Sequence, residues 1–85
     1  MARVPKHTDA DTAHALSQLG VLIRLHRQRR GLTQRDLAGK AGISQVRITR
    51  YETGAVDPPF SALHRIARAL GVKVSDLLRH EAIEV

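Results

Sequence analysis

Between Gln34 and Arg50 the chain carries side chains suited to reading a nucleic-acid surface: Gln34, Arg35, Ser44, Gln45, Val46, Arg47, Thr49 and Arg50. Glutamine pairs bidentately with adenine, arginine forks onto guanine or a phosphate, and valine meets a thymine methyl. Catalytic or metal chemistry has no comparable set. The five histidines, His7, His14, His26, His64 and His80, form no i,i+4 pair and no His-Glu-x-x-His, and no cysteine accompanies them. There is no glycine loop followed by lysine, no nucleophile elbow and no pair of carboxylates on one helix face. The sequence therefore predicts neither an enzyme nor a cofactor nor a metal site.

Helices must position the candidate readers. Residues 1–10 hold Arg3, Lys6 and His7 without apolar periodicity and are expected to form a flexible basic arm. From about Asp11 the pattern turns helical, with Leu16, Leu19, Ile23 and Arg27 on one face and Gly31 as the stop. Leu22 and Leu25 widen that stripe, which leaves room for a second contact such as a dimer partner. Thr33 is a good N-cap for a second helix that turns Leu37, Ala38 and Ala41 inward and ends at Gly42. Ser44 caps a third. In it Ile48 and Tyr51 face the core, while Gln45, Val46, Arg47, Thr49 and Arg50 face out or to the flanks, as far as Gly54. Asp57-Pro58-Pro59 interrupts helix, and Phe60, Leu63, Ile66, Ala67 and Leu70 then repeat at helical spacing up to Gly71. Val74, Leu77 and Leu78 predict one more short helix, and residues 81–85 a short tail.

Composition points the same way. Eighty-five residues suit one small domain, spanning 11–80, and leave no room for an effector domain. Fourteen Lys and Arg against eight Asp and Glu give a formal charge of +6, and 11 of the 14 cations are Arg, which favours a polyanionic partner. Only Phe60 and Tyr51 are aromatic, so reading single strands by stacked rings is disfavoured and a duplex is favoured. No cysteine means no disulfide framework, and no apolar run approaches a membrane span or a signal peptide. A cytoplasmic, nucleoid-associated protein without membrane contact is expected.

The spacing within residues 34–53 specifies how two of these helices meet. Ala38 is small enough for a close crossing, Gly42 can take the positive φ of a tight turn, and Leu37, Ile43, Ile48 and Tyr51 supply an apolar wedge. This is a helix-turn-helix. The wider pattern resembles the Cro and phage-repressor family, also called the xenobiotic-response-element type, over roughly residues 19–78. It rests on Gly31-Leu32-Thr33-Gln34-x-x-Leu37-Ala38, then Gly42-Ile43-Ser44-x-x-x-Ile48-x-x-Tyr51-Glu52-x-Gly54, then Ile66-Ala67-x-Ala69-Leu70-Gly71-Val72, and Leu77-Leu78.

The resemblance implies an all-α, compact five-helix domain of lambda-repressor type whose third helix enters the major groove. It implies a sequence-specific regulator of transcription, a repressor acting as a homodimer on an inverted-repeat operator of double-stranded DNA. Carried over by position, Gln45, Val46, Thr49 and Arg50 contact bases; Gln34, Arg35, Ser44 and Arg47 contact phosphates; and Arg27 and Glu52 form a buried structural ion pair. Arg24, Arg29 and Arg30 could add phosphate contacts or solubility alone. Gly39, inside the second helix, should cost about 1 kcal/mol relative to alanine. His26 and His64 replace positions that are often leucine in the family and suggest a wetter core. The same fold also serves protein-interaction modules, so a scaffold or an antitoxin bound to a toxin partner is the alternative. The Leu22 and Leu25 stripe and the 82–85 tail would suit it.

Overall fold

In the computed structural model, which describes residues 9–79, the chain forms four α-helices and a final turn of 3-10 helix. α1 spans Ala10–Arg29, α2 Gln34–Ala41, α3 Gln45–Thr53 and α4 Phe60–Leu70, and the 3-10 helix spans Val74–Leu78. The expected arm, apart from its last two residues, and the expected tail lie outside the described residues. Those last two residues belong to α1: Asp9 is its N-cap, accepting from the Thr12 amide at 2.6 Å, so the helix starts at Ala10.

Each helix starts and stops for a local reason. Thr33 and Asp36 make a reciprocal capping box at α2, with the Asp36 amide donating to Thr33 Oγ1 and the Thr33 amide to Asp36 Oδ2, both at 2.9 Å. The bond from the Thr33 amide, and after it the Thr33 hydroxyl, hold the Asp36 carboxyl below the usual carboxylate range. Ser44 Oγ accepts from the Arg47 amide at 3.2 Å and caps α3. Between them Gly42 sits at φ +69°, the left-handed conformation that lets two short helices follow one another within three residues.

The core is one apolar cluster shared by all five elements. Ile23, Leu37, Ile48, Ile66, Leu70 and Leu77 are fully buried, and Leu19, Ala38, Ile43, Tyr51, Leu63 and Ala67 complete most of it. α1 packs chiefly on α3, and α2 packs on both α3 and α4. The first of these contacts depends on Gly20. A Cβ there would press on the backbone carbonyl of Glu52 and stand 2.7 Å from that of Tyr51, so only glycine lets α1 lie this close to the end of α3.

Three expectations are corrected. Phe60, placed on the inward face of α4 by its spacing, is 67% exposed and stacks on His64 with ring centroids 6.2 Å apart. It is the first residue of its helix, ahead of the turn that Leu63 and Ile66 press into the core. His64 is exposed and His26 half-buried, so neither wets the core. Leu22 is buried within the domain at 5% exposure, which leaves Val21 and Leu25 as the large apolar residues that α1 exposes. The last helix is a short 3-10 helix of five residues that buries Leu77 and packs Val74 on the core; Leu78 stays exposed.

Candidate nucleic-acid interface

The outer face of α3 carries the candidate readers. Gln45, Val46, Arg47, Thr49 and Arg50 are all exposed, while Ile48 and Tyr51 anchor the opposite face. The alternation follows from helical geometry: positions 48 and 51 share one side and the residues around them sweep across the other. Val46 is 58% exposed, a conspicuous apolar side chain among polar ones. Arg47 lies over the Tyr51 ring, 5.9 Å from its centroid, which steers its guanidinium along the flank. Among the described residues no hydrogen bond or ion pair holds the Arg50 or Gln45 side chain, so both extend freely from the surface.

Beneath this face lies a charged brace. Arg27 Nε donates to Glu52 Oε2 at 2.6 Å and Nη2 to Oε1 at 3.1 Å, a two-pronged pair with side chains 11% and 3% exposed. The remaining nitrogen, Nη1, donates to the Leu32 carbonyl at 2.8 Å. One guanidinium thus ties α1, the loop before α2 and the last turn of α3.

Gln34 joins this brace to the reading face. Its Nε2 donates to Glu52 Oε1 at 3.0 Å, and its Oε1 accepts from Thr49 Oγ1 at 2.8 Å. One N–H of the amide remains for a phosphate. Ser44 Oγ is exposed and spends an acceptor site on its cap, so its own hydrogen can also be donated outward. Arg35 is exposed beside Gln34 in the first turn of α2. The structure therefore gathers Gln34, Arg35, Ser44 and α3 into one surface, the amino-terminal ends of α2 and α3. Helix amino termini favour phosphate through unpaired amides and the helix dipole.

Some of the surrounding residues are not legible from spacing. Gly20, which sets the approach of α1 to α3, has no local signal beyond a glycine within a helix. Arg65 of α4 reaches the Gly42 carbonyl with a long 3.4 Å bond and supports the turn from behind, beside a shallow depression lined also by Lys40 and Arg68. Arg30 packs against Gly71 at the carboxyl end of α4, where a cation suits the helix dipole; Arg24 and Arg29 are exposed. Among the described residues no cluster of His, Asp and Glu could hold a metal, and no helix is long and apolar enough to cross a membrane.

Comparison with known proteins agrees with this geometry. The sequence model of the helix-turn-helix domain family matches residues 18–81. An uncharacterized HTH-type transcriptional regulator of Methanothermobacter thermautotrophicus is 48% identical over 50 residues, covering 59% of this chain and 72% of that protein. Another, from Methanocaldococcus jannaschii, is 37% identical over 59 residues, covering 69% of this chain and 89% of that protein. Among solved structures, the restriction-modification controller protein C.AhdI of Aeromonas hydrophila superposes with a TM-score of 0.72 at 26% identity, covering 73% of this chain and 94% of that one. With four α-helices among its described residues, its capped α2-turn-α3 unit and this match, the chain belongs to the helix-turn-helix domain family, in its Cro and phage-repressor branch.

Proposed function

We propose that the chain is a sequence-specific double-stranded DNA-binding regulator of transcription, a repressor that binds an inverted-repeat operator as a homodimer and excludes polymerase by occupancy. The observation that carries this reading is α3. Five exposed contact residues stand on one short helix whose far end is fixed to α1 by a buried, doubly bonded ion pair. A reading helix must hold its position to within about 0.5 Å and its orientation to within about 10–20°, and the brace supplies that rigidity. Gln45, Val46, Thr49 and Arg50 take the base edges, and Gln34, Arg35, Ser44 and Arg47 the flanking phosphates. The names of the relatives and the role of the controller protein support a regulator, and the chain works by binding rather than catalysis. Its place is the cytoplasm, at the nucleoid.

The alternative of an antitoxin or scaffold loses one of its supports, since Leu22 is buried; Val21, Leu25 and Leu78 remain as exposed apolar side chains suited to a second copy of the chain. Selection of duplexes from a random pool, followed by electrophoretic shift, tests the proposal. The selected sequence should contain two inverted half-sites whose centres lie about 34–36 Å apart or a multiple of that. Placed over a promoter, it should make the protein block transcription in vitro. Affinity should fall with salt by about −0.9 log units per log unit for each phosphate engaged, and Arg35→Ala should remove roughly one such unit. Absence of duplex binding at low salt would overturn the reading.

A further inference from the structure

Thr49 is exposed on the reading face, yet its hydroxyl is already engaged. Oγ1 donates to Gln34 Oε1 at 2.8 Å and lies 3.1 Å from the Gln45 carbonyl, one turn earlier in α3. Gln34 is itself held by Glu52, and Glu52 by Arg27. A hydroxyl has a single hydrogen, so Thr49 has none left to donate to N7 or O6 of guanine or O4 of thymine unless this chain of bonds breaks. Threonine is also stiff at χ1. With Oγ1 committed to one staggered position, the methyl must occupy another, away from the Gln34 amide.

Val46 stands three residues earlier, on the same side of α3, and exposes its branched side chain to solvent. The two methyl-bearing residues are neighbours, between the polar readers Gln45 and Arg50. On the floor of the major groove the apolar feature that distinguishes one base pair from another is the C5 methyl of thymine. We propose that Thr49 reads a thymine methyl through its own methyl group, beside Val46, and that Gln34 is the positioning residue that holds Thr49 in that rotamer. This rests on the duplex-DNA reading above and adds the base-edge chemistry.

The test resynthesises the best duplex from the random pool with each thymine replaced in turn by deoxyuridine, which removes the methyl and nothing else. Wild-type protein should lose about 4-fold in affinity at one position beneath Thr49, the factor expected for one buried carbon. Thr49→Ser keeps the hydroxyl and its bond to Gln34 but lacks the methyl, and should bind both duplexes equally at that position. Thr49→Val should keep the preference. Val46→Ala should level a neighbouring thymine and leave this one alone. Gln34→Ala, with Thr49 intact, should shrink the thymine-to-uracil ratio because the side chain can turn; a wild-type ratio in that variant would remove the positioning role. If Thr49→Ser retained the wild-type ratio, or if the uracil scan were flat in a protein that still selects a sequence, methyl reading would be overturned with DNA binding intact. Failure to select any sequence would overturn both.

Discussion

Replacing Glu52 with alanine removes more than one contact. The carboxylate receives two bonds from Arg27 and one from Gln34, at 2.6, 3.1 and 3.0 Å, and the Arg27 side chain left behind is only 11% exposed. Stranding one member of such a pair costs about 3–5 kcal/mol, because the remaining charge is away from water with no partner. For 85 residues the whole stability is about 4–13 kcal/mol, so the loss is a large part of it. In a domain of this size each kcal/mol moves the Tm by 4–8 °C, which gives a fall of roughly 12–40 °C. The assay is thermal and urea unfolding followed by circular dichroism, at low and high salt. A buried pair is weakly screened, so the effect should persist at high salt. The double variant Arg27→Met with Glu52→Leu should cost less than Glu52→Ala, since it leaves no orphaned charge. A cost for Glu52→Ala within about 0.5 kcal/mol, the range of ordinary surface substitutions, would refute the reasoning.

Two glycines within helices should respond with opposite sign. Gly20→Ala drives a Cβ into the carbonyls of Tyr51 and Glu52 and should destabilise by about 1–3 kcal/mol, whereas Gly39→Ala meets nothing within 4 Å and should stabilise by about 0.5–1 kcal/mol, both read from urea midpoints. Asp36 has its folded pKa lowered by the Thr33 amide, so its contribution is present above the unfolded value, near 3.8, and is lost as pH falls through the lower folded value. Asp36→Asn should therefore reduce the steepness of acid unfolding; a curve unchanged from wild type would show the cap to be without weight. Arg50→Ala should leave the Tm nearly untouched while costing about 1–3 kcal/mol on the selected duplex and relaxing one base position. Equal weakening on all sequences would reassign Arg50 to the phosphate backbone.

What the sequence determined by itself was local in origin. Capping residues, glycine stops and apolar periodicity act within a turn or two of the chain, so Thr33, Ser44, Gly42 and Gly71 mark the ends of α2, α3 and α4 at the places their types imply. The outward face of α3 was legible for the same reason: once Ile48 and Tyr51 point in, 3.6 residues per turn leaves Gln45, Val46, Thr49 and Arg50 outside. Tertiary structure decided what no local rule contains. Whether Leu22 is covered depends on what packs beside α1, and Phe60 stays in solvent because the first turn of α4 turns Ala62 and Leu63, not Phe60, into the core. The need for glycine at 20 comes from a backbone more than thirty residues away. For Gln34, a polar residue at a helix start, the family resemblance implies a phosphate ligand. Only the crossing of α2 and α3 brings its amide between Glu52 and Thr49, where side chains from separate turns meet because the shared apolar core holds the two helices at contact distance.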